Sequence, residues 1–256
     1  MFDEKWKYST IVGMLLYLSS NTRPDITFAV HQCALYSHNP KQSHAKAVKC
    51  IIHYLKETKD KGMTFSPTDE FSVDCFVDAD FAGLWGVEYD QDPVSIKSRT
   101  GYIIMFMGCP LLWVSKLQTQ IALSTMEAEY IALSTAIHEL IAIREVLKEV
   151  RSLVFCVDDP LSNSPAYSMT AKAFIPCVVP SQVYEDNEAC LKFATLPKMS
   201  PRMKHIAIPY HFFRSKVTNL EIKVLPIDTT NQLADQFTKG LREDDFVKAR
   251  KRILGW

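Results

Sequence analysis

The chain has 256 residues, of which 47% are apolar, and it carries 29 acidic and 29 basic residues, so its formal net charge is zero. This length and composition predict one large domain, or one domain with part of a second, around a real hydrophobic core. Zero net charge excludes a general attraction to nucleic acid or membrane, so nucleic-acid binding would need a local basic patch. Seven cysteines without a CxxC pair predict reduced thiols in an intracellular protein. We expect neither a signal peptide nor a membrane span, because no basic-then-apolar leader and no apolar run of about 18 residues occurs.

The first 66 residues carry helical patterns and end in a turn-rich linker. The three predicted helices lie in "STIVGMLLYLSS", "TRPDITFAVHQCALYSH" and "KQSHAKAVKCIIHYLKET". In the third, Ala47, Cys50, Ile51 and Tyr54 are expected to share one face. Three helices of this size make only a thin core, so residues 1–66 are predicted to be the tail of a larger domain.

Beyond the linker, the pattern changes to strands and mixed elements. Three closely spaced strands, "SVDCFVDAD", "RTGYIIMFMGC" and "PLLWVSK", predict an antiparallel meander with a turn at Gly108–Pro110. A long helix over 124–150 follows, and then a loop at about 157–181 that we expect to be poorly ordered. The remaining predicted elements are a strand running into a helix in "QVYEDNEACLKFAT", a helix over 204–218, a strand in "LEIKVLPI" and a helix in "TTNQLADQFTKGL". This order predicts a mixed sheet with helices packed on it.

Two carboxylates stand near the start of the long helix, in "STMEAEYIAL". Glu127 follows Ser124 by three residues, which is the spacing of a capping box, so Glu127 has a purely structural explanation. Glu129 instead begins an apolar stripe that should pack on the sheet. The residues of that stripe are Leu133, Ala136, Leu140, Ile143 and Leu147. A carboxylate on such a face is costly unless it is paired, hydrogen-bonded or bound to a cation, and both acids stay open as candidates.

Three further acids lie at strand ends or helix starts within apolar segments: Asp78 in "CFVDADFAG", Asp186 in "VYEDN" and Asp235 in "NQLADQFTK". Each alone is typical of a surface acid or a helix cap. Together with Glu129, they supply oxygen ligands from separate elements, which is what a hard cation such as Mg²⁺ or Mn²⁺ requires. Without a metal, like charges brought this close would raise one another's pKa.

Seven motifs of the chain closely resemble the end of the polyprotein of copia-type retrotransposons. They are "SNTRPDITFAVHQ", "VDADFAG", "KSRTGYIIMFMGCPLLWVSK", "ALSTMEAEYIALS", "YEDNEACLKFA", "MKHIAIPYHFFR" and "NQLADQFTKGL". In this resemblance, residues 1–66 correspond to the end of the reverse transcriptase and its connection, and residues 67–256 to the ribonuclease H domain. The implied fold is a ribonuclease H-like mixed five-stranded sheet with flanking helices, preceded by a small helical segment.

The resemblance also implies an activity and the residues that carry it. The four acids Asp78, Glu129, Asp186 and Asp235 would be both catalytic and metal-binding, with Glu127 as the alternative helix ligand. They would hold two Mg²⁺ ions, for which Mn²⁺ can substitute, and the hydrolase would cut the RNA strand of RNA–DNA hybrids endonucleolytically while the transposable element replicates. The alternative is a catalytically silent remnant that binds nucleic acid or a partner.

The expected partners are the hybrid itself and the missing reverse transcriptase portion of the polyprotein, with no membrane. A basic stretch with aromatic neighbours, "KMSPRMKHIAIPYHFFRSK", is the candidate phosphate-contacting surface, although a solvated helix face explains it equally well. Its basic residues are Lys198, Arg202, Lys204, Arg214 and Lys216. An intracellular member of this family is expected in the cytoplasm or in virus-like particles.

The chain departs from the family in three places. The segment between the first aspartate and the second strand is long, and its acids Glu88, Asp90 and Asp92 are expected in a solvated loop. The stretch "LPIDTTNQLAD" contains no histidine near the last acid, so product release or proton transfer must be arranged otherwise. The paired aspartates of the polymerase, usually "YVDD", are missing, so no polymerase activity is expected.

Overall fold

The fold is described by a computed structural model over four stretches of the chain: 7–83, 95–154, 181–195 and 213–256. The loop predicted at 157–181 lies outside these stretches apart from its last residue, and so do Glu88, Asp90 and Asp92.

The N-terminal segment forms the three helical units that were predicted. These are α1 (Tyr8–Asn21), a 3₁₀ turn (Pro24–Ile26) that leads into α2 (Thr27–Ala34), and α3 (Gln42–Glu57). Pro24 is the first residue of its turn, where a missing N–H costs little. The helices enclose a core of their own that includes Tyr8, Val12, Leu15, Val30 and Val48.

The buried face of α3 is rotated relative to the prediction. Ala45, Val48 and Ile51 are buried, whereas Ala47 and Cys50 are exposed. The prediction was therefore wrong about Ala47 and Cys50. The branched apolar side chain of Val48 packs in the core. Ala45 and Ile51, three positions to either side, lie on the same face of the helix and are buried with it.

Five strands form one mixed sheet in the order β3-β2-β1-β4-β5. The strands are β1 (Val73–Asp80), β2 (Arg99–Phe106), β3 (Cys109–Leu117), β4 (Ser181–Glu185) and β5 (Lys223–Pro226). The first three are antiparallel, as the meander predicted, while β4 runs parallel to β1 and β5 parallel to β4. The predicted fold class, a ribonuclease H-like mixed five-stranded sheet with flanking helices after a small helical segment, is confirmed.

The hairpin between β2 and β3 turns one residue earlier than predicted. Met107 and Gly108 both have positive φ, 50° and 78°, and they form the turn. Pro110 already belongs to β3, an edge strand, where its lack of an N–H removes no essential ladder bond.

Helices cover both faces of the sheet. They are α4 (Thr125–Val154), α5 (Glu188–Thr195), α6 (Arg214–Thr218), α7 (Asp235–Thr238) and α8 (Glu243–Leu254). On one face, α4 packs through Leu133 and Ile137 on Cys75 and Val77 of β1. The opposite face carries a second core under α7 and α8, built from residues such as Phe76, Ile103, Phe237 and Leu254.

The helix predicted in "TTNQLADQFTKGL" is two short turns, a 3₁₀ turn at Thr229–Asn231 and then α7. Gln232 lies between them in an extended conformation, φ −70° and ψ 107°. Its side-chain amide donates a hydrogen bond of 2.8 Å to the carbonyl of Val77 in β1. This bond fixes the chain against the sheet where a continuous helix would have to turn away.

Contacts cross the proposed boundary between residues 1–66 and 67–256. The indole Nε1 of Trp113, in β3, donates to the carbonyl of Ser19 over 2.6 Å. At the chain's end, Trp256 Nε1 donates to the carbonyl of Gly62 over 2.8 Å. The helical segment therefore lies directly against the sheet, although it has its own core.

Candidate metal centre

Asp78 lies in the central strand and is almost completely buried, with 3% of its surface exposed. Side chains alternate along β1, so Asp78 shares a face with Phe76, which belongs to the core under α7 and α8. The residue opposite Asp78 on β2 is Gly101. Because Gly101 has no Cβ, α7 approaches the sheet closely here; a Cβ at this position would stand 2.6 Å from Cγ2 of Thr238.

The close approach of α7 brings three polar side chains to Asp78. The hydroxyl of Thr238 donates a short hydrogen bond to the Asp78 carboxylate. Asp235 makes a side-chain hydrogen bond with Asp78, which requires a proton between the two carboxyl groups. The ammonium group of Lys239 lies 2.9 Å from Oδ1 of Asp235 and 3.9 Å from Oδ2 of Asp78.

Glu129 reaches the same region from the opposite face of the sheet. It lies in the second turn of α4, is 7% exposed, and accepts a hydrogen bond from the backbone N–H of Ala79 at the end of β1. Glu129 lies on the apolar face of α4 that the sequence predicted, and this face packs on the sheet, since its residues Leu133, Ala136 and Leu140 are fully buried.

Asp186 follows the last residue of β4 and is half-buried. Its Oδ2 accepts a hydrogen bond of 2.9 Å from the hydroxyl of Thr229. The register of the parallel pair puts Tyr184 beside Phe76, so Asp186 continues toward Asp78 on the next strand. The carboxyl end of β4 therefore lies beside the end of β1 that carries Asp78.

The acids form two groups that share one member. Carboxylate oxygens of Asp78, Asp186 and Asp235 lie within 4.8 Å of one another, and so do oxygens of Glu129, Glu185 and Asp186. All four predicted acids thus lie in one region. Glu185 was missed from the sequence, where strand alternation in "SQVYED" could have indicated it, because Glu185 has the same parity as the apolar Val183.

Glu127 lies in neither group and makes helix-capping contacts. Its Oε2 accepts a hydrogen bond of 2.7 Å from the backbone N–H of Leu123, and its own N–H donates to the hydroxyl of Ser124 over 3.2 Å. The serine contact is the one that the Ser-x-x-Glu spacing predicted, whereas the glutamate bonds the N–H of Leu123, one residue before the cap position.

Burial and mutual repulsion raise the pKa values of the clustered acids. Burial, followed by the negative charges of Glu185 and Asp78, raises the pKa of Glu129 to about 11. Burial and then the charge of Asp78 raise the pKa of Asp235 to about 7, against the opposing effect of Lys239. Burial is also the largest cause of the raised pKa of Asp78 and of Glu185.

Lys239 experiences the opposite balance. Burial alone would lower its pKa, but the neighbouring Asp78 and Asp235 outweigh burial and raise it, so the side chain stays charged. One ammonium group cannot neutralise several carboxylates, so in the metal-free chain the raised pKa values keep some of the acids, Glu129 above all, protonated at neutral pH.

The residues fit a divalent cation of the Mg²⁺ class. Every candidate ligand is a carboxylate oxygen, the donor that Mg²⁺ and Mn²⁺ prefer. Oxygens on opposite sides of one Mg²⁺ lie about 4.2 Å apart, so a spacing within 4.8 Å needs only small side-chain rotations. Among the described residues, no hydrogen-bond donor reaches Oε2 of Glu129 or Oε2 of Glu185, although both atoms are buried. A cation would satisfy oxygens that the described part of the chain leaves without a partner.

The predicted basic surface is described only in part. Lys198, Arg202 and Lys204 lie outside the described residues. Arg214 is half-buried at the start of α6, and Lys216 forms an ion pair of 3.0 Å with Glu221. Lys216 therefore already has an acidic partner within the chain.

No protein-family model matches this chain, and relatives that match nearly all of it are retrovirus-related Pol polyproteins of transposons. The retrovirus-related Pol polyprotein from transposon TNT 1-94 of Nicotiana tabacum is 33% identical over 249 residues, 97% of this chain and 16% of the polyprotein. The corresponding polyprotein from transposon RE2 of Arabidopsis thaliana is 32% identical over 247 residues, 96% of this chain and 15% of the polyprotein. Among solved structures, LC11-RNase H1 isolated from compost matches 70% of this chain and 99% of its own, with a TM-score of 0.41 and 14% identity.

The strand order and the flanking helices are those of a ribonuclease H-like fold, and its acids gather at the carboxyl ends of β1 and β4. Nearly the whole chain is homologous to one part of the retrovirus-related Pol polyproteins of copia-type transposons, and it spans about one sixth of the length of the two relatives above. None of the described helices combines the length and the apolar composition needed to cross a bilayer.

Proposed function

We propose that this chain is a divalent-metal-dependent endonuclease that hydrolyses the RNA strand of RNA–DNA hybrids during retrotransposon replication. The observation that carries the proposal is the convergence of Asp78, Asp186 and Asp235, from three separate elements, with oxygens within 4.8 Å of one another. Isolated buried carboxylates are costly, and a shared cation is the common reason to gather them.

In this proposal, each acid holds or orients a metal. Bound Mg²⁺ would stabilise charge on the scissile phosphate and lower the pKa of an attacking water. Asp78 presents its carboxylate from the rigid central strand, and the hydroxyl of Thr238 fixes its orientation. Glu129 approaches from α4, with one oxygen held by the Ala79 N–H, while Asp186 belongs to both groups of acids.

The hybrid is proposed as the substrate because the relatives are Pol polyproteins of retroelements. Such hybrids are recognised through backbone, 2′-hydroxyl and groove shape, so we expect low sequence specificity. The basic residues Lys198, Arg202, Lys204, Arg214 and Lys216 remain the proposed phosphate contacts, and binding should weaken as salt rises. The polymerase portion of the polyprotein is the proposed protein partner, and the cytoplasm or a virus-like particle is the proposed location.

The test is a cleavage assay with a labelled RNA–DNA hybrid in Mg²⁺, Mn²⁺ or EDTA. The proposal expects cutting of the RNA alone, only with metal, and loss of cutting in Asp78→Asn. Asp74→Asn is the matched control, since Asp74 shares the strand and face of Asp78 but lies about 13 Å away along β1. Asp74→Asn should cut as well as the unmodified chain, and metal-independent cutting would contradict the proposal.

A second candidate function is supported by Lys239. Its ammonium group already lies beside Asp235 and Asp78, where it partly neutralises one group of acids from within the chain. A chain that relied on this internal cation could bind nucleic acid or a partner without turnover. Hybrid binding by gel shift, together with no cleavage in either Mg²⁺ or Mn²⁺, would favour this candidate.

A further inference from the structure

Glu185 is a buried acid outside the set of four that the family resemblance implies. It is the last residue of β4 and has no exposed surface. Along β4, Val183 and Glu185 share one face, and Val183 packs in the core beneath α4. Tyr184 points the other way, since its ring stacks on Phe76 with 4.8 Å between ring centroids. Strand alternation therefore directs Glu185 toward α4, the helix that carries Glu129.

The two oxygens of Glu185 have different surroundings. Oε1 accepts a hydrogen bond of 3.1 Å from the backbone N–H of Asn187, which holds the turn into α5. Oε2 is buried and has no hydrogen-bond partner among the described residues, and the same is true of Oε2 of Glu129. One oxygen of each of Glu185, Glu129 and Asp186 lies within 4.8 Å of the others, so the two glutamates with an unsatisfied oxygen border one shared space.

From this geometry we infer that Glu185 is a fifth carboxylate ligand and that the five acids divide into two ligand groups, which share Asp186. One ion would lie among Asp78, Asp186 and Asp235, and the other among Glu129, Glu185 and Asp186, with Asp186 bridging the two. This inference rests on the proposed metal-dependent function and deepens it by dividing the ligands into two positions on opposite faces of the sheet. The inference does not rest on the number of clustered acids alone. A second observation supports it: Oε2 of Glu185 is completely buried and has no hydrogen-bond partner among the described residues.

A structural role for Glu185 predicts something different. A carboxyl group that merely shares a proton with Glu129, or caps the turn at Asn187, keeps its role when it is replaced by an amide of the same shape. Glu185→Gln therefore distinguishes a structural role from metal binding, since glutamine retains Oε1 for the Asn187 N–H and can donate a hydrogen bond to Glu129. Only the negative charge and the second ligand oxygen are lost.

The experiment is a titration of the full chain with Mn²⁺, using electron paramagnetic resonance to count bound ions and thermal unfolding to follow stabilisation. The unmodified chain should bind two ions, and in Glu185→Gln one of the two should bind at least about tenfold more weakly. Glu188→Gln is the matched control: Glu188 lies three residues away, is exposed, and pairs with Lys192, so its substitution should leave both ions unchanged.

Two further results decide between the possibilities. Asp78→Asn should weaken the other ion while leaving the Glu185 position occupied, so the two variants should lose different ions. Identical titrations of Glu185→Gln and the unmodified chain would overturn the inference. That outcome is distinct from failure of the proposed function, in which the unmodified chain binds both ions but does not cleave a hybrid.

Discussion

The ammonium group of Lys239 lies 2.9 Å from Oδ1 of Asp235, one α-helical turn earlier in the chain, and 3.9 Å from Oδ2 of Asp78 in the central strand. A monovalent cation therefore lies at the edge of a group of acids that is suited to a divalent one. We expect the ammonium group to stabilise the metal-free chain and also to compete with a bound metal ion. Replacing Lys239 should therefore lower the stability of the metal-free chain and strengthen the effect of added metal.

We predict that Lys239→Met destabilises the metal-free protein by about 1 kcal/mol, a modest value because the side chain is 42% exposed. Added Mg²⁺ should then raise the melting temperature more in the variant than in the unmodified chain. Lys192→Met, which breaks an exposed pair with Glu188 on α5, is the matched control and should not change the response to Mg²⁺. An equal Mg²⁺ response in Lys239→Met and the unmodified chain would show that the lysine does not compete with metal.

The stability of the metal-free chain should fall as pH rises. Glu129 has a pKa of about 11 in the folded chain, compared with about 4.3 when unfolded, so between these values the folded state retains a proton that the unfolded state has released. Asp235, with a pKa of about 7, adds to this effect between about pH 4 and 7. The free energy of unfolding therefore decreases with increasing pH, because the folded state binds more protons.

Thermal unfolding from pH 5 to 9 in EDTA tests this sign. Glu129→Gln cannot ionise, so it should be more stable than the unmodified chain, and its advantage should grow with pH. Saturating Mg²⁺ should reduce the advantage by neutralising Glu129 in the unmodified chain. If the stabilities of the two proteins in EDTA changed with pH in parallel, the pKa of Glu129 would not be raised in the folded state.

The two glutamates at the start of α4 should separate catalysis from stability. Glu129→Gln is expected to abolish hybrid cleavage without unfolding the chain. Glu127→Ala should cleave normally but lose about 1 kcal/mol of stability, because it removes the cap on the Leu123 N–H. Cleavage and urea denaturation measure the two effects, and an inactive Glu127→Gln beside an active Glu129→Gln would reverse the assignment.

Gly101→Ala should disturb the site without touching an acid. The new Cβ would stand 2.6 Å from Cγ2 of Thr238 and 2.9 Å from Cβ of Phe237, so α7 would have to move away from β2. We predict a loss of about 1–3 kcal/mol in stability and weaker Mn²⁺ binding. Gly13→Ala in α1, where no atom lies within 4 Å of the new Cβ, is the control and should be neutral or stabilising. Normal metal binding in Gly101→Ala would show that the position of α7 is not critical.

Trp113→Phe tests whether the helical segment is an integral part of the fold. The substitution keeps most of the buried ring but removes the donor to the Ser19 carbonyl, so we expect a loss of about 1–2 kcal/mol in urea denaturation. Trp256→Phe removes a similar bond that is exposed to solvent, so it should cost less. Equal and negligible effects would indicate that the segment and the sheet are only loosely joined.

Local periodicity made most elements predictable from the sequence. The alternation around Asp78 predicted strand β1, and the apolar stripe from Glu129 to Leu147 predicted the buried face of α4. Both predictions were correct because each pattern arises within one element that packs on the core. The helix predicted around Asp235 was interrupted instead, because the amide of Gln232 bonds to Val77, which is 155 residues away in the chain. No local pattern reports such a distant hydrogen bond.

The candidate site was predictable to the extent that its acids interrupt apolar patterns. Glu185 escaped because β4 has only five residues, too few for alternation to stand out, and because Asp186 beside it matched the family motif. The contact of Lys239 with two acids also depends on the close approach of α7 to Gly101, which is a property of the packed sheet rather than of "ADQFTKG" as a segment.

The central claim is that these carboxylates hold divalent cations, and a crystal grown with Mn²⁺ tests it most directly. Anomalous difference density should show ions bound by Asp78, Asp186 and Asp235 and, on the other side of Asp186, by Glu129. An absence of such density at saturating Mn²⁺, with Lys239 still bonded to Asp235, would contradict the claim.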